Sequence, residues 1–328
     1  MRYYATLGGS CKDTAVIGGV LRAGVDCFRL NLSHGSLREK ADWIDALRRA
    51  ERETGRAAGL MIDLRGPEIR TGRNAPDRLL DAGETVEAAS LGLLPEVYDA
   101  LAPGQELRID DGGAVLVLER GGVCRAVRAG RIAPRKSVAL PGLALELPVL
   151  TAEDAADLAD GPGFGVTAVM QPFVRSREAL DTVRRAMERA GLGQALLYAK
   201  IEDETGLESL PRWIDGCDVV TAARGDLGAN LGLERVPAAQ KRVAEICRRA
   251  GKPLLVVTEL LGSMAERPVP SRAEVSDICN AVWDGAEHLM LTNETAAGRY
   301  PVEAAEWLVR CGEEAGRTGV SPSVTAEP

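Results

Sequence analysis

The chain has 328 residues, 45% of them hydrophobic, and a formal net charge of −8. That length supports one large domain or two smaller ones around a proper core. The acidic balance argues against nucleic acid or a membrane surface as a partner, because both attract basic proteins.

The opening stretch, MRYYATLGGS, has no charged segment leading into an apolar one, and no apolar run reaches membrane-spanning length. The seven cysteines (Cys11, Cys27, Cys124, Cys217, Cys247, Cys279 and Cys311) are scattered, odd in number and free of any CxxC pair. That usage suits buried free thiols in a reducing, cytoplasmic protein.

Short apolar runs alternate with amphipathic stretches. The runs are YYATLG (3–8), DCFRLNL (26–32), AAGLMIDL (57–64), GVTAVMQPF (165–173), ALLYAKI (195–201), DVVTAA (218–223), PLLVVT (253–258) and HLMLT (288–292). Five helical patterns lie among them. SLREKADWIDALRRAERETG (36–55) and SREALDTVRRAMERAG (176–191) each open on a Ser cap and close on Gly. PAAQKRVAEICRRAG (237–251) runs from Pro to Gly. SRAEVSDICNAVWDGA (271–286) and VEAAEWLVRCGEEAG (302–316) complete the series. Continuously apolar strands in about eight strand–helix repeats predict an α/β fold, a (β/α)8 TIM barrel.

Residues 73–142 break the rhythm. They hold alternating runs such as QELRID, AVLVLER and VCRAVRAG between DDGG and RGG turns. A small all-β insertion after the third strand is expected there. The barrel is then 1–72 and 143–318, and the polar end, 319–328, reads as a disordered tail.

Barrel active sites lie at the C-terminal ends of strands. Strand two ends in Arg29, Asn31, Ser33 and His34, and strand three in Asp63, Arg65, Glu68 and Arg70. Strand five ends in Lys200 and Glu202, which share one face because strand side chains alternate. Strand six ends in Arg224 and Asp226, strand seven in Thr258 and Glu259, and strand eight in Asn293, Glu294 and Thr295. A lone Lys-x-Glu at a strand end is more often a surface ion pair than a site. Charges after six of eight runs favour a site. Glu202 and Asp226 suit Mg2+ (or Mn2+), which takes few carboxylates and completes its shell with water and substrate oxygens. Lys200 and the arginines suit an anionic substrate.

CFRLNLSHG (27–35), IDLRGPEIRTG (62–72), AKIED (199–203), ARGDLG (223–228), TELLGSM (258–264), SRAEVSDICNAVWDGA (271–286) and NETAAGRYP (293–301) together resemble the pyruvate kinase family, in order and at barrel spacing. The resemblance spans most of positions 5–315. It implies a mobile β lid, a Mg2+ site at Glu202 and Asp226, and a K+ site at Asn31, Ser33, Asp63 and the Leu64 carbonyl, with Glu68 matching the K+-dependent branch. It implies that Lys200 stabilises the phosphoryl group or enolate oxygen and that Thr258 helps deliver the proton. Arg29 and Arg70 would face the phosphate or carboxylate, and the amides of Gly225 and Asp226 the substrate carboxylate.

Departures from the family pattern are Gly9, Ala139, Pro172, Asn293, Ala297, Glu259, Gly262 and, in register, a tyrosine replaced by Glu39. The family also carries a C-terminal effector domain with no counterpart here, so that regulation is expected to be missing. Ala297 and Glu39 fall where the family places nucleotide, and both weaken polyphosphate binding. The preferred reading is therefore an enzyme that stabilises the enolate of pyruvate, phosphoenolpyruvate or oxaloacetate and is redirected to aldol-type C–C chemistry or decarboxylation, with an aldehyde co-substrate. Its alternatives are a short pyruvate kinase acting on phosphoenolpyruvate and ADP, and a non-catalytic metabolite sensor. His34, Lys136 and Glu259 stand as contacts to a nucleotide or second substrate. A homo-oligomer through barrel contacts stays open.

Overall fold

The computed structural model describes residues 1–110, 112–143, 145 and 147–318. The expected tail, 319–328, lies outside them. Eight strands close a barrel: β1 (Arg2–Thr6), β2 (Cys27–Asn31), β3 (Gly59–Asp63), β4 (Ala168–Gln171), β5 (Leu196–Ile201), β6 (Val219–Ala223), β7 (Leu254–Val257) and β8 (His288–Met290). Each pairs in parallel with its sequence neighbours, and β8 closes on β1 with Tyr3 beside Leu289.

The strands read as continuous apolar runs because both faces are buried. One face packs on the outer helices, as with Phe28, Leu60, Val169, Leu197, Val220 and Val256. The other fills the barrel, with Tyr4, Cys27, Met61, Met170, Tyr198 and Leu255. Helix caps follow the sequence signals. Ser176 accepts from the Ala179 N–H before Arg177–Arg189, and Ser271 forms a capping box with Glu274 before Arg272–Asp284. Ser36 differs: its Oγ accepts from the Glu39 N–H (3.3 Å) in a short 3-10 turn at Arg38–Lys40, and the α-helix itself begins at Ala41 and runs to Thr54.

Deep in the barrel, the Tyr4 hydroxyl bridges the Tyr198 hydroxyl (2.7 Å) and His288 Nδ1 (2.8 Å). Burial, then the neighbouring Arg2, pulls the His288 pKa down from 6.5 to about 4. The unfolded chain therefore binds more protons there between those values, and folding stability falls as pH drops from about 6.5 to about 4. The loss reaches about 3 kcal/mol at most. Urea titrations at pH 7.5 and 4.5 should show a smaller acid loss in His288→Gln than in the parent.

After β3 the chain builds a second, smaller body with its own core, including Leu80, Leu91, Val97, Leu107, Leu116 and Cys124. It holds a five-stranded antiparallel sheet, in the order Val138–Ala139, Glu106–Ile109, Ala114–Leu118, Val123–Arg128, Thr85–Glu87. A separate ribbon pairs Arg78–Leu80 with Gly130–Ile132. The expected all-β insertion needs one correction, since it contains the helix Pro95–Ala100. Pro95 pre-sets the first turn, but six residues are too few to display a helical period. Ile69, Leu143, Leu145 and Leu147 pack on this core from the connecting segments.

The small body sits over the C-terminal mouth of the barrel. Arg108 donates to the Ala229 carbonyl (2.7 Å) near the end of the helix Arg224–Leu231. Arg175 donates to the Leu145 carbonyl (2.9 Å). Among the described residues, no helix is long and apolar enough to cross a membrane. All seven cysteines are unpaired and six are buried.

Candidate active site

Side chains alternate along a strand, so Thr6, Arg29, Asp63 and Lys200 all project from strand ends into the mouth. Arg29 donates to Asp63 Oδ2 from Nε (2.9 Å) and Nη2 (2.6 Å), and to Thr6 Oγ1 (3.2 Å). The Lys200 ammonium lies between Asp63 Oδ1 (3.1 Å) and Glu202 Oε1 (3.0 Å). Its hydrogen bond goes to Asp63 Oδ2 (3.3 Å), so the buried Oδ1 is near the charge yet receives no N–H. Asp63 and Glu202 are each 1% exposed.

The charges do not cancel. Burial opposes the Lys200 ammonium, but Asp63 and Glu202 outweigh it and hold the lysine above its ordinary range. Asp63 is likewise buried, yet Lys200 and Arg29 pull it below the carboxylate range. Glu202 moves the other way. Its burial, with Asp226 and Asp63 adding, outweighs the same ammonium and pushes its pKa up, despite the Phe173 N–H (2.7 Å) on Oε2. The two halves of the Lys200–Glu202 contact thus shift in opposing senses. Burial, the largest cause, disfavours the Glu202 charge, and the Asp226 and Asp63 carboxylates add to it. Crowded carboxylates and an Oδ1 lone pair without a donor are what bound cations relieve, so the residues fit Mg2+ at Glu202 and Asp226 and K+ beside Asp63. Among the described residues no group of three or more His, Cys, Asp or Glu is placed to hold a metal by itself.

The K+ candidates form a second chain of contacts. Asn31 Oδ1 accepts from the Ser33 N–H (3.0 Å), and Ser33 Oγ donates to Glu68 Oε2 (3.3 Å). Glu68 Oε1 pairs with Arg70 (2.8 Å), and burial pushes the Glu68 pKa up against that arginine. Arg70 also donates to the Arg135 carbonyl (2.7 Å), while its Nε is buried without an acceptor.

Asp226 and Gly225 open the helix after β6. Asn230, which the sequence reading missed, ties the segments that follow β5 and β6. Its Nδ2 donates to the carbonyls of Glu202 and Asp226, each at 3.0 Å. Thr258 has φ +82° and Glu259 φ +52°, an unfavourable pair for non-glycine residues. Arg224 holds the Thr258 carbonyl with two N–H groups (2.8 and 3.2 Å). A Cβ on Gly225 would stand 3.1 Å from Thr258 Cγ2. Gly225→Ala is expected to push Thr258 aside by a few tenths of an ångström and lower kcat about tenfold or more. Steady-state rates at saturating substrate check this.

The remaining expected residues lie at the rim. His34 and Glu259 are exposed. Lys136 pairs with Asp110 on the small body (2.8 Å). Crowding by protein atoms, then Arg70, Arg29, Lys40 and Lys136, lowers the His34 pKa, which marks a cationic arc around it. The exposed Glu39 carboxylate accepts from the Ser36 N–H (2.8 Å). A cleft lined by Glu68, Ile69, Arg108, Phe173, Asp226 and Asn230 separates the small body from the barrel.

The family model for the pyruvate kinase barrel domain matches residues 2–305. The chain belongs to the pyruvate kinase family. It is 37% identical over 335 residues to the pyruvate kinase of Methylorubrum extorquens, spanning 98% of this chain and 69% of that protein. It is 36% identical to the pyruvate kinase of Aeropyrum pernix, over 96% of this chain and 70% of the relative. The Mycobacterium tuberculosis pyruvate kinase is also 36% identical, at 97% and 71% coverage. This pyruvate kinase family member has Arg29, Asp63, Lys200 and Glu202 at or beside the ends of its barrel strands.

Proposed function

We propose that this protein transfers the phosphoryl group of phosphoenolpyruvate to ADP, with Mg2+ (or Mn2+) and K+. The observation that carries the reading is the buried Lys200 ammonium between Asp63 and Glu202, with Asp226 alongside, next to a rim of cations.

The two ions, when bound, neutralise the phosphoryl and enolate oxygens and position them. Glu202 and Asp226 would hold the divalent ion, and Asn31, Ser33, Asp63 and the Leu64 carbonyl would hold K+. Lys200 stays protonated and meets the charge that appears on the transferring phosphoryl group and on the enolate oxygen. The amides of Gly225 and Asp226, at a helix start, bind the substrate carboxylate. Arg29 and Arg70 face the phosphate, and Arg70 Nε has a hydrogen to give. Thr258 lies beside the enolate carbon and helps deliver its proton. His34 and Lys136 line the nucleotide phosphates. The lid is residues 73–142 and the barrel 1–72 and 143–318 in this reading.

The redirected reading, an aldol or decarboxylation enzyme, uses the same enolate residues. It leaned on Glu39 and Ala297. The relatives, pyruvate kinases at 36–37% identity, favour phosphoryl transfer over it, and Glu259 is a solvent-facing side chain with no role the geometry requires. A non-catalytic sensor has no chemical need for the buried Lys200 cluster. The unpaired thiols suit a reducing cytoplasm. Leu233 and Val269, exposed on the barrel, suit self-association.

³¹P NMR of the protein with phosphoenolpyruvate, ADP, Mg2+ and K+ tests this. ATP formation at a metabolic rate is the expected result. Absence of ATP, with phosphoenolpyruvate intact, would turn the search to pyruvate or oxaloacetate with an aldehyde acceptor.

A further inference from the structure

We infer that Asp154, helped by Asp157 and Arg65, aims the Leu64 carbonyl and fixes the spacing of the two loops that bind K+. The inference rests on the K+ reading and assigns roles to residues outside the site itself.

The helix Ala152–Phe164 follows the small body in sequence and starts beside the loops after β2 and β3. Its first two turns carry two aspartates with 0% and 2% exposure, Asp154 and Asp157. Asp154 Oδ1 accepts from the Arg65 N–H (2.9 Å), and Oδ2 from the Gly66 N–H (3.0 Å) and the Thr151 N–H (3.1 Å). Arg65 Nη1 donates to Asp157 Oδ2 (2.7 Å) and more weakly to Asp154 Oδ1 (3.4 Å). Asp157 Oδ1 accepts from the Leu37 N–H (2.8 Å).

The Arg65 N–H and the Leu64 carbonyl belong to one peptide unit. That unit is planar and trans, so its N–H and C=O point in opposite directions. Gripping the N–H from behind therefore aims the carbonyl oxygen forward. The second grip, on Gly66, prevents the plane from rocking. Gly66 itself has φ +52°, and its missing Cβ would meet Pro172 Cγ at 2.5 Å, so the loop is closely seated.

Asp157 does the same for the other side. The loop after β2 carries Asn31 and Ser33, and its Leu37 N–H is fastened to the same helix. Arg65 ties the two aspartates together. One helix thus sets the distance between Asn31 and Ser33 on one loop and Asp63, Leu64 and Glu68 on the other. A weakly hydrated ion such as K+ depends on that distance for affinity and for discrimination against Na+. Helix capping alone explains the Thr151 contact and leaves the Arg65, Gly66 and Leu37 contacts without a purpose.

The test uses the full chain without substrate or nucleotide. Tm is measured against KCl concentration, at ionic strength held constant with NaCl, for the parent and Asp154→Asn. Mn2+ affinity is measured in parallel by electron paramagnetic resonance. The expected result is a K+ midpoint about tenfold or more higher in Asp154→Asn, with Mn2+ affinity unchanged. A structural role alone would lower Tm equally in Na+ and K+ and leave the midpoint in place, which would overturn the inference. If Asp154→Asn does not fold, Asp157→Asn and Arg65→Lys decide by the same readout. A parent whose Tm and activity ignore K+ would overturn the K+ reading and this inference with it. A responsive parent with unshifted variants would overturn the inference only.

Discussion

Lys200→Met is expected to lower kcat by about 10³-fold or more, roughly 4 kcal/mol of transition-state stabilisation. Among the described residues the Lys200 ammonium is the one that pairs with both Asp63 and Glu202. Its buried setting keeps it charged, so its full charge meets the oxygen that becomes negative. Stability falls too. Removing one partner of a buried pair leaves uncompensated carboxylates at a cost of about 3–5 kcal/mol. Activity is therefore compared on protein shown to be folded by circular dichroism and gel filtration. A folded variant within tenfold of the parent would sink the assignment.

Glu202→Gln separates binding from stability. The metal-free protein strains to keep Glu202 ionised, because burial and the Asp226 and Asp63 charges push its pKa up. A neutral amide of the same shape relieves that repulsion and still accepts the Phe173 N–H. Metal-free Tm should hold or rise. Mn2+ affinity should fall by a factor of about 100 or more, beyond the range typical of outer-shell changes. Stability and function are opposed at this residue, as expected where charge is concentrated for a ligand. A fall in Tm with unchanged Mn2+ binding would make Glu202 a structural residue.

The barrel was legible because each strand is buried on both faces and each helix is punctuated. LLVV at 254–257 and the Ser271 capping box carry their own signals. The charged mouth was legible for a similar reason: alternation alone puts Lys200 and Glu202 on one face. What the sequence hid is contact across distance. Nothing in TAED at 151–154 beyond a capping box says that Asp154 also grips Arg65 and Gly66, 89 and 88 residues away. Asn230 carries no signal of its own in the sequence, and its reach to the Glu202 and Asp226 carbonyls exists only in the fold. The Ser36 N–H on the Glu39 carboxylate, ahead of a 3-10 turn with no strong period, left no signal either. The helix Pro95–Ala100 of the small body was too short for periodicity to reveal.

The most direct measurement follows the methyl protons of pyruvate by ¹H NMR in D₂O, with Mg2+ and K+ and no nucleotide. It reads enolate formation whatever the acceptor. The account predicts protein-dependent loss of the methyl signal that requires the divalent ion and disappears in Lys200→Met. Exchange no faster than in buffer, or equal exchange in Lys200→Met, would contradict an enolate site at the mouth of the barrel.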